Sequence, residues 1–229
     1  MNQKTIFSIV IAISVIALAA CSTATSTSTS NTTNAVSPTA TTDNTTSNET
    51  ASTASSNTAI SMDPNLACSG GKTSATVTPE LTEGPYYKAG SPELANLYQA
   101  GMAGTKLVVT GYVYNTNCQP VANALLDFWQ ADANGTYDNS GYTLRGHQYT
   151  DANGRFELTT VVPGLYPGRT EHIHFKVQAP NGKLLTSQLF FPGVTQNDSD
   201  GIFNASLLLS IQKNSDSWQA KYNFVVPSN

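Results

Sequence analysis

The stretch Tyr166-Pro-Gly-Arg169-Thr-Glu-His172-Ile-His174-Phe175 decides how the rest of the chain is read. It holds two of the three histidines, one residue apart. Ile173, Phe175 and Val177 alternate with them, and a period of two predicts a β-strand over His172–Gln178. On a strand, residues i and i+2 share a face. His172 and His174 therefore project together, while Ile173, Phe175 and Val177 turn to a core. Two imidazoles on one face suit a borderline metal ion. The same spacing also occurs as a polar pair on a solvated sheet face.

Outward from this strand the pattern repeats. Leu107–Tyr114, Ala124–Gln130, Arg155–Thr160, Leu184–Phe191 and Tyr222–Val226 read as further strands. Turn chemistry separates them: Asn115–Pro120, Asn134-Gly135, Asp151-Ala-Asn-Gly154, Pro163-Gly164 and Pro180-Asn-Gly182. Short strands with such punctuation predict an all-β fold, a single β-sandwich. Only Asn204–Lys213 reads as helical. No internal repeat is present.

The N-terminal third has a different composition. Residues 1–20 carry one lysine and then an apolar run, the pattern of a secretory signal. Leu18-Ala19-Ala20-Cys21 resembles a bacterial lipobox, which implies cleavage before Cys21 and lipidation of its thiol; an ordinary cleavage site with an incidental cysteine is the other reading. Residues 21–61 are almost entirely Ser, Thr, Asn and Ala. They lack the apolar surface that would offset the entropy of ordering. A flexible tether of about 40 residues spans roughly 35 Å on average. The expectation is an exported, membrane-anchored bacterial lipoprotein, with residues 62–229 as the folded domain. Cys68 and Cys118 remain after Cys21, and an even pair in an exported protein predicts a disulfide; two buried thiols are the alternative. The formal net charge is −4, without a basic cluster, which argues against nucleic acid as a partner.

Several motifs bear on function. Gly111-x-Val113, Pro120-Val-x-Asn-Ala124, Thr150-Asp-x-x-Gly154-x-Phe156 and Val162-Pro-Gly164-x-Tyr166 together resemble transthyretin-like (prealbumin-like) and carboxypeptidase-regulatory modules. That resemblance implies a metal-free binding module. Three more stretches point elsewhere: Thr82-Glu-Gly-Pro85-Tyr86-Tyr87, Asp127-Phe-Trp129-Gln-Ala-Asp132 leading to Gly135-Thr-Tyr137, and Ser187-Gln188-Leu-Phe-Phe191. With Tyr166, Arg169, His172 and His174 they resemble the intradiol ring-cleavage dioxygenases, from about Pro79 to Phe191. The likeness is greatest to the short exported branch of that family, which often has a cysteine where Cys118 stands.

What this second resemblance implies is specific. Tyr137 and Tyr166 as tyrosinates, with His172 and His174, would hold a non-haem Fe(III). Phenolate is a hard anionic donor suited to that ion, and ligation must overcome a phenol pKa near 10. The implied substrates are a small catechol-type aromatic and O2, giving a muconate-type diacid. Tyr166 would also act in catalysis by leaving the metal as the catechol binds. Arg169 would stabilise negative charge on the substrate; a surface ion pair is its other reading. Pro85 and Tyr86 would line the substrate pocket. Gln188 would stand near it, or else face solvent. Tyr87 reads equally as core. His147 and Arg145 read as supporting or surface residues, Asp132 and Asp138 as turn caps. A cupin-type site would need a glutamate soon after the histidine pair, where Lys176, Val177 and Gln178 stand. The helical N-terminal domain of the larger catechol enzymes is replaced by the tether, which leaves oligomeric state open.

Overall fold

The computed structural model describes residues 66–228. The expected signal, Cys21 and the whole of the expected tether lie outside those residues. Among the described residues nine strands form two sheets. They are β1 (Lys106–Asn115), β2 (Leu125–Trp129), β3 (Arg145–Tyr149), β4 (Arg155–Val161), β5 (His172–Gln178), β6 (Leu185–Phe190), β7 (Ser210–Lys213), β8 (Trp218–Lys221) and β9 (Phe224–Val226). One sheet runs β4-β1-β8-β7, with β9 also paired to β1; the other runs β3-β2-β5-β6 and is antiparallel throughout.

The alternation in β1 is strict: Leu107, Val109 and Val113 are buried, while Val108 and Tyr112 are partly exposed. These side chains meet Phe156 and Leu158 of β4, Leu126 and Phe128 of β2, Ile173, Phe175 and Val177 of β5, and Phe224 of β9 in one core. That face-to-face burial of two sheets is what makes the strands stable together.

Asn204–Lys213 is not a helix. It forms a single 3-10 turn over Ala205–Leu207 and then β7. Leu207 and Leu209 are buried while Leu208 is partly exposed, a period-two pattern that a short apolar run hides in sequence. β3 and β8 also escaped the sequence reading, and Tyr222–Val226 shortens to β9.

The four-stranded sheet has its second face covered. Six of the seven residues of β5 are buried. Register aligns Arg145, Trp129, His174 and Gln188 in one row across β3, β2, β5 and β6. The next row is His147, Asp127, Lys176 and Thr186. The covering element is the arm Thr82–Tyr87, whose attachments follow the sheet. Gln188 Nε2 donates to the Thr82 carbonyl at 2.9 Å, and Lys176 Nζ donates to Glu83 at 2.5 Å. Tyr87 Oη donates to Asp127 at 3.1 Å, and Arg145 Nη1 donates to the Tyr86 carbonyl at 2.6 Å. Cys68 and Cys118 form a disulfide, with Cα atoms 5.2 Å apart.

Candidate metal and ring-cleavage site

The β5 histidines sit under this arm, 4% and 3% exposed, so the solvated-face reading does not hold. His172 Nδ1 lies 2.7 Å from the Thr170 carbonyl and so carries the proton, leaving Nε2 with its lone pair. That Nε2 is 3.1 Å from His174 Nε2 and 3.2 Å from Tyr137 Oη. His174 has a different support. Its Nδ1 is buried without a hydrogen-bond partner, and its ring lies flat on Trp129, 8° from parallel at 4.8 Å. On the arm side, a Cβ on Gly84 would stand 3.3 Å from His174 Cε1.

Two loops deliver the tyrosines. Gly135, at φ +79°, lets the Tyr137 loop approach the Tyr166 loop: a Cβ there would lie 2.1 Å from the Leu165 carbonyl. Asp132 accepts from the Asn134 and Thr136 amides, and Asp138 from those of Ser140, Gly141 and Thr143, so both aspartates cap turns around Tyr137. Tyr166 adjoins the set without joining its hydrogen bonds: its Oη is 2.7 Å from Tyr86 Oη. Tyr86 stacks on Tyr137 at 4.5 Å, and Tyr137 and Tyr166 meet edge to face at 6.0 Å. Pro85 is exposed on the arm. Tyr87 packs on Trp129 under the Lys176 ammonium.

Arg169 is not a loose surface residue. Its Nε donates to Asp200 at 2.8 Å and its Nη2 to Gln188 Oε1 at 2.5 Å. Asp200 also accepts from the Thr170 and Ile202 amides. Gln188 is fully buried, which overturns the solvent-facing alternative. His147 lies on β3 with Nδ1 2.8 Å from the Ser91 carbonyl, in support of the arm's continuation. Sequence reasoning missed Asp200, which is embedded in Asn197-Asp-Ser-Asp200-Gly and looks like turn chemistry alone. A cleft of about 420 Å³ opens between the Tyr166–Arg169 turn and Gln196 and Ser199. A larger one, about 680 Å³, lies between residues 66–79 and Tyr222 and contains none of these groups.

Electrostatics keep the set neutral until a positive ion is added. Burial, aided by the Arg169 charge, pushes His172 down to about 4. Burial, then His172 and Arg169, hold His174 well below the ordinary imidazole value. Burial pushes the Tyr137 phenol up, against the pull of Arg169 and Arg145. Tyr137 Oη, His172 Nε2 and His174 Nε2 thus crowd together in a dry place, an arrangement that fits a cation. Among the described residues no three His, Cys, Asp or Glu side chains gather to hold a metal.

Comparison with known proteins places this geometry. The chain matches the family profile Dioxygenase_C, described as dioxygenase, over residues 82–226. The chain belongs to the intradiol ring-cleavage dioxygenase family. Within the family it is similar to the solved dioxygenase domain of a dioxygenase–carbohydrate-binding protein fusion from Streptomyces sp. SirexAA-E. The two share 45% identity and a TM-score of 0.66 over 67% of this chain and 100% of that one. An intradiol ring-cleavage dioxygenase from Tetranychus urticae matches at 27% identity and a TM-score of 0.61, over 67% of this chain and 95% of that one. Catechol 1,2-dioxygenase 2 of Acinetobacter lwoffii is 34% identical over 142 residues, 51% of this chain and 52% of the relative. The protocatechuate 3,4-dioxygenase beta chain of Burkholderia cepacia is 34% identical over 121 residues, 45% of this chain and 52% of the relative. The chain spans about half the length of these two curated relatives. Family membership sets aside the likeness to transthyretin-like and carboxypeptidase-regulatory modules.

Proposed function

We propose that this protein is a non-haem Fe(III) intradiol dioxygenase that opens a catechol between its hydroxyl-bearing carbons. One observation carries the reading: Tyr137 Oη, His172 Nε2 and His174 Nε2 lie within 3.2 Å along a chain of contacts, buried under the arm. Tyr137, Tyr166, His172 and His174 would hold the iron. When bound, Fe(III) supplies the Lewis acidity that ionises a catechol and the redox partner that lets the ring react with O2.

The chain's own groups divide the remaining tasks. Tyr166, whose Oη lies 2.7 Å from Tyr86 Oη, would as a tyrosinate take a proton from the catechol. Arg169, fixed at two nitrogens, offers a preorganised positive charge to the developing anion. Pro85 and Tyr86 on the arm would border the ring. Both oxygen atoms enter the product, so a catechol and one O2 give one muconate-type diacid with nothing left over. The substrate class is a small catechol.

The proposed location is outside the cytoplasm, on a membrane, through lipidated Cys21. The sequence of residues 1–21 supports this, as does the Cys68–Cys118 disulfide, which persists in oxidising compartments. The test of activity is simultaneous oxygen uptake and ultraviolet detection of muconate-type product on a panel of catechols. One O2 consumed per ring opened is expected; an iron-loaded protein that opens no catechol overturns the proposal.

A further inference from the structure

We propose that Arg145 is a positioning residue that assembles the tyrosine wall of this site, by bridging the arm that carries Tyr86 to the loop that carries Tyr137. Arg145 starts β3, opposite Trp129, and is 2% exposed. Its Nη1 donates to the Tyr86 carbonyl at 2.6 Å and its Nε to the Asp138 carbonyl at 3.1 Å. Tyr86 and Tyr137, the latter adjacent to Asp138, are the stacked pair, 20° from parallel. One guanidinium therefore grips the backbone beside both stacked rings.

Two independent features show that the position is built for this. Leu144 holds a left-handed φ of 55° although it is bulky and buried, and this turns the chain so that Leu144 enters the core and Arg145 points to the arm. Such a conformation is unfavourable for a branched residue and persists only where the surroundings enforce it. The guanidinium also stays buried without an ion pair among the described residues, and its Nη2 has no hydrogen-bond partner there. Apolar side chains of similar volume often replace buried charges at no loss of stability, so packing alone does not account for an arginine. A lysine could not do the same task. Its ammonium is a single point on a flexible stem, whereas the planar guanidinium reaches two acceptors at once.

The bridge rests on hydrogen bonds in the protein itself; only its effect on iron depends on the function proposed above. The test uses the full chain with Arg145→Met and Arg145→Lys. In the metal-free protein, amide exchange of residues 82–88 should rise at least about tenfold in both variants, while β1 and β4 stay within about twofold of the parent. In the parent, Arg145 Nε–H should exchange at least about 100-fold more slowly than that of Arg155, whose side chain is 45% exposed. After iron loading, the visible band from tyrosinate to iron should shift in both variants relative to the parent. Unchanged arm exchange in either folded variant overturns the bridge, as does Arg145→Lys restoring parent behaviour. If Arg145→Met does not fold, the lysine variant and the parent's Nε–H exchange decide; fast Nε–H exchange overturns the proposal. A parent that binds no iron defeats the function proposed above and leaves the exchange results to decide this one.

Discussion

At the scale of single residues, the site is a set of side chains each held by something other than its function. Arg169 is the clearest case, because Asp200 and Gln188 fix it on two sides. Arg169→Ala removes the charge but none of the four proposed ligands. Iron content should survive, and turnover should fall by about 10²-fold, the usual cost of losing a preorganised charge stabiliser. Asp200→Asn keeps the shape but weakens the anchor, so a smaller fall in turnover is expected with iron content unchanged. Metal analysis beside steady-state kinetics checks both. Arg169 and Gln188 were singled out in sequence through their place in a family-like order of motifs. Asp200 was not, since an aspartate in a turn has abundant local amides to accept from and gives no sign of a distant arginine.

At the scale of elements, the arm and the β5 sheet explain each other. Alternation alone revealed β5, because Ile173, Phe175 and Val177 are core and the histidines are not. It hid β3, whose inward positions are Gly146 and Gln148 and therefore show no apolar period. A Cβ on Gly146 would lie 2.6 Å from the Leu94 carbonyl, so the chain running over the strand dictates the glycine. The burial of the outer face was likewise invisible, since it depends on the arm, more than 80 residues earlier in sequence than β5. Within the arm Gly84 holds φ +73°, close against the His174 ring. Gly84→Val should cost about 1–2 kcal/mol in backbone strain and displace His174. Weaker iron retention on dialysis against a chelator, with a smaller loss in melting temperature, is the expected result.

At the scale of the whole domain, two features set stability. His172 binds a proton near 6.5 when unfolded but only at about 4 when folded. The unfolded chain therefore holds more protons between those values, and stability must rise with pH across that window. Conversely, the metal-free protein should lose about 3 kcal/mol from His172 alone as pH falls from 6.5 through 4. Denaturant titrations at several pH values read this directly, and bound iron should move the acid limit downward by competing with protons. The disulfide closes a loop with a sequence separation of 50. In the chain-entropy view its reduction should cost about 4 kcal/mol, visible as a lower unfolding midpoint with thiol reductant. The pairing was legible from the cysteine number together with the expectation of export. The sheet order was not, because β8 and β9 join β1 in parallel from the far end of the chain, and no local pattern announces that.

The most direct test of the central claim is the visible spectrum of the purified full-length protein, measured with its iron content. A tyrosinate–Fe(III) centre predicts a red-brown protein with about one iron per chain, as four ligands around one ion require. Tyr137→Phe, which keeps the ring on Tyr86 and removes the oxygen 3.2 Å from His172, should weaken both colour and iron retention. A colourless protein that retains no iron after loading with ferric salt would contradict the account.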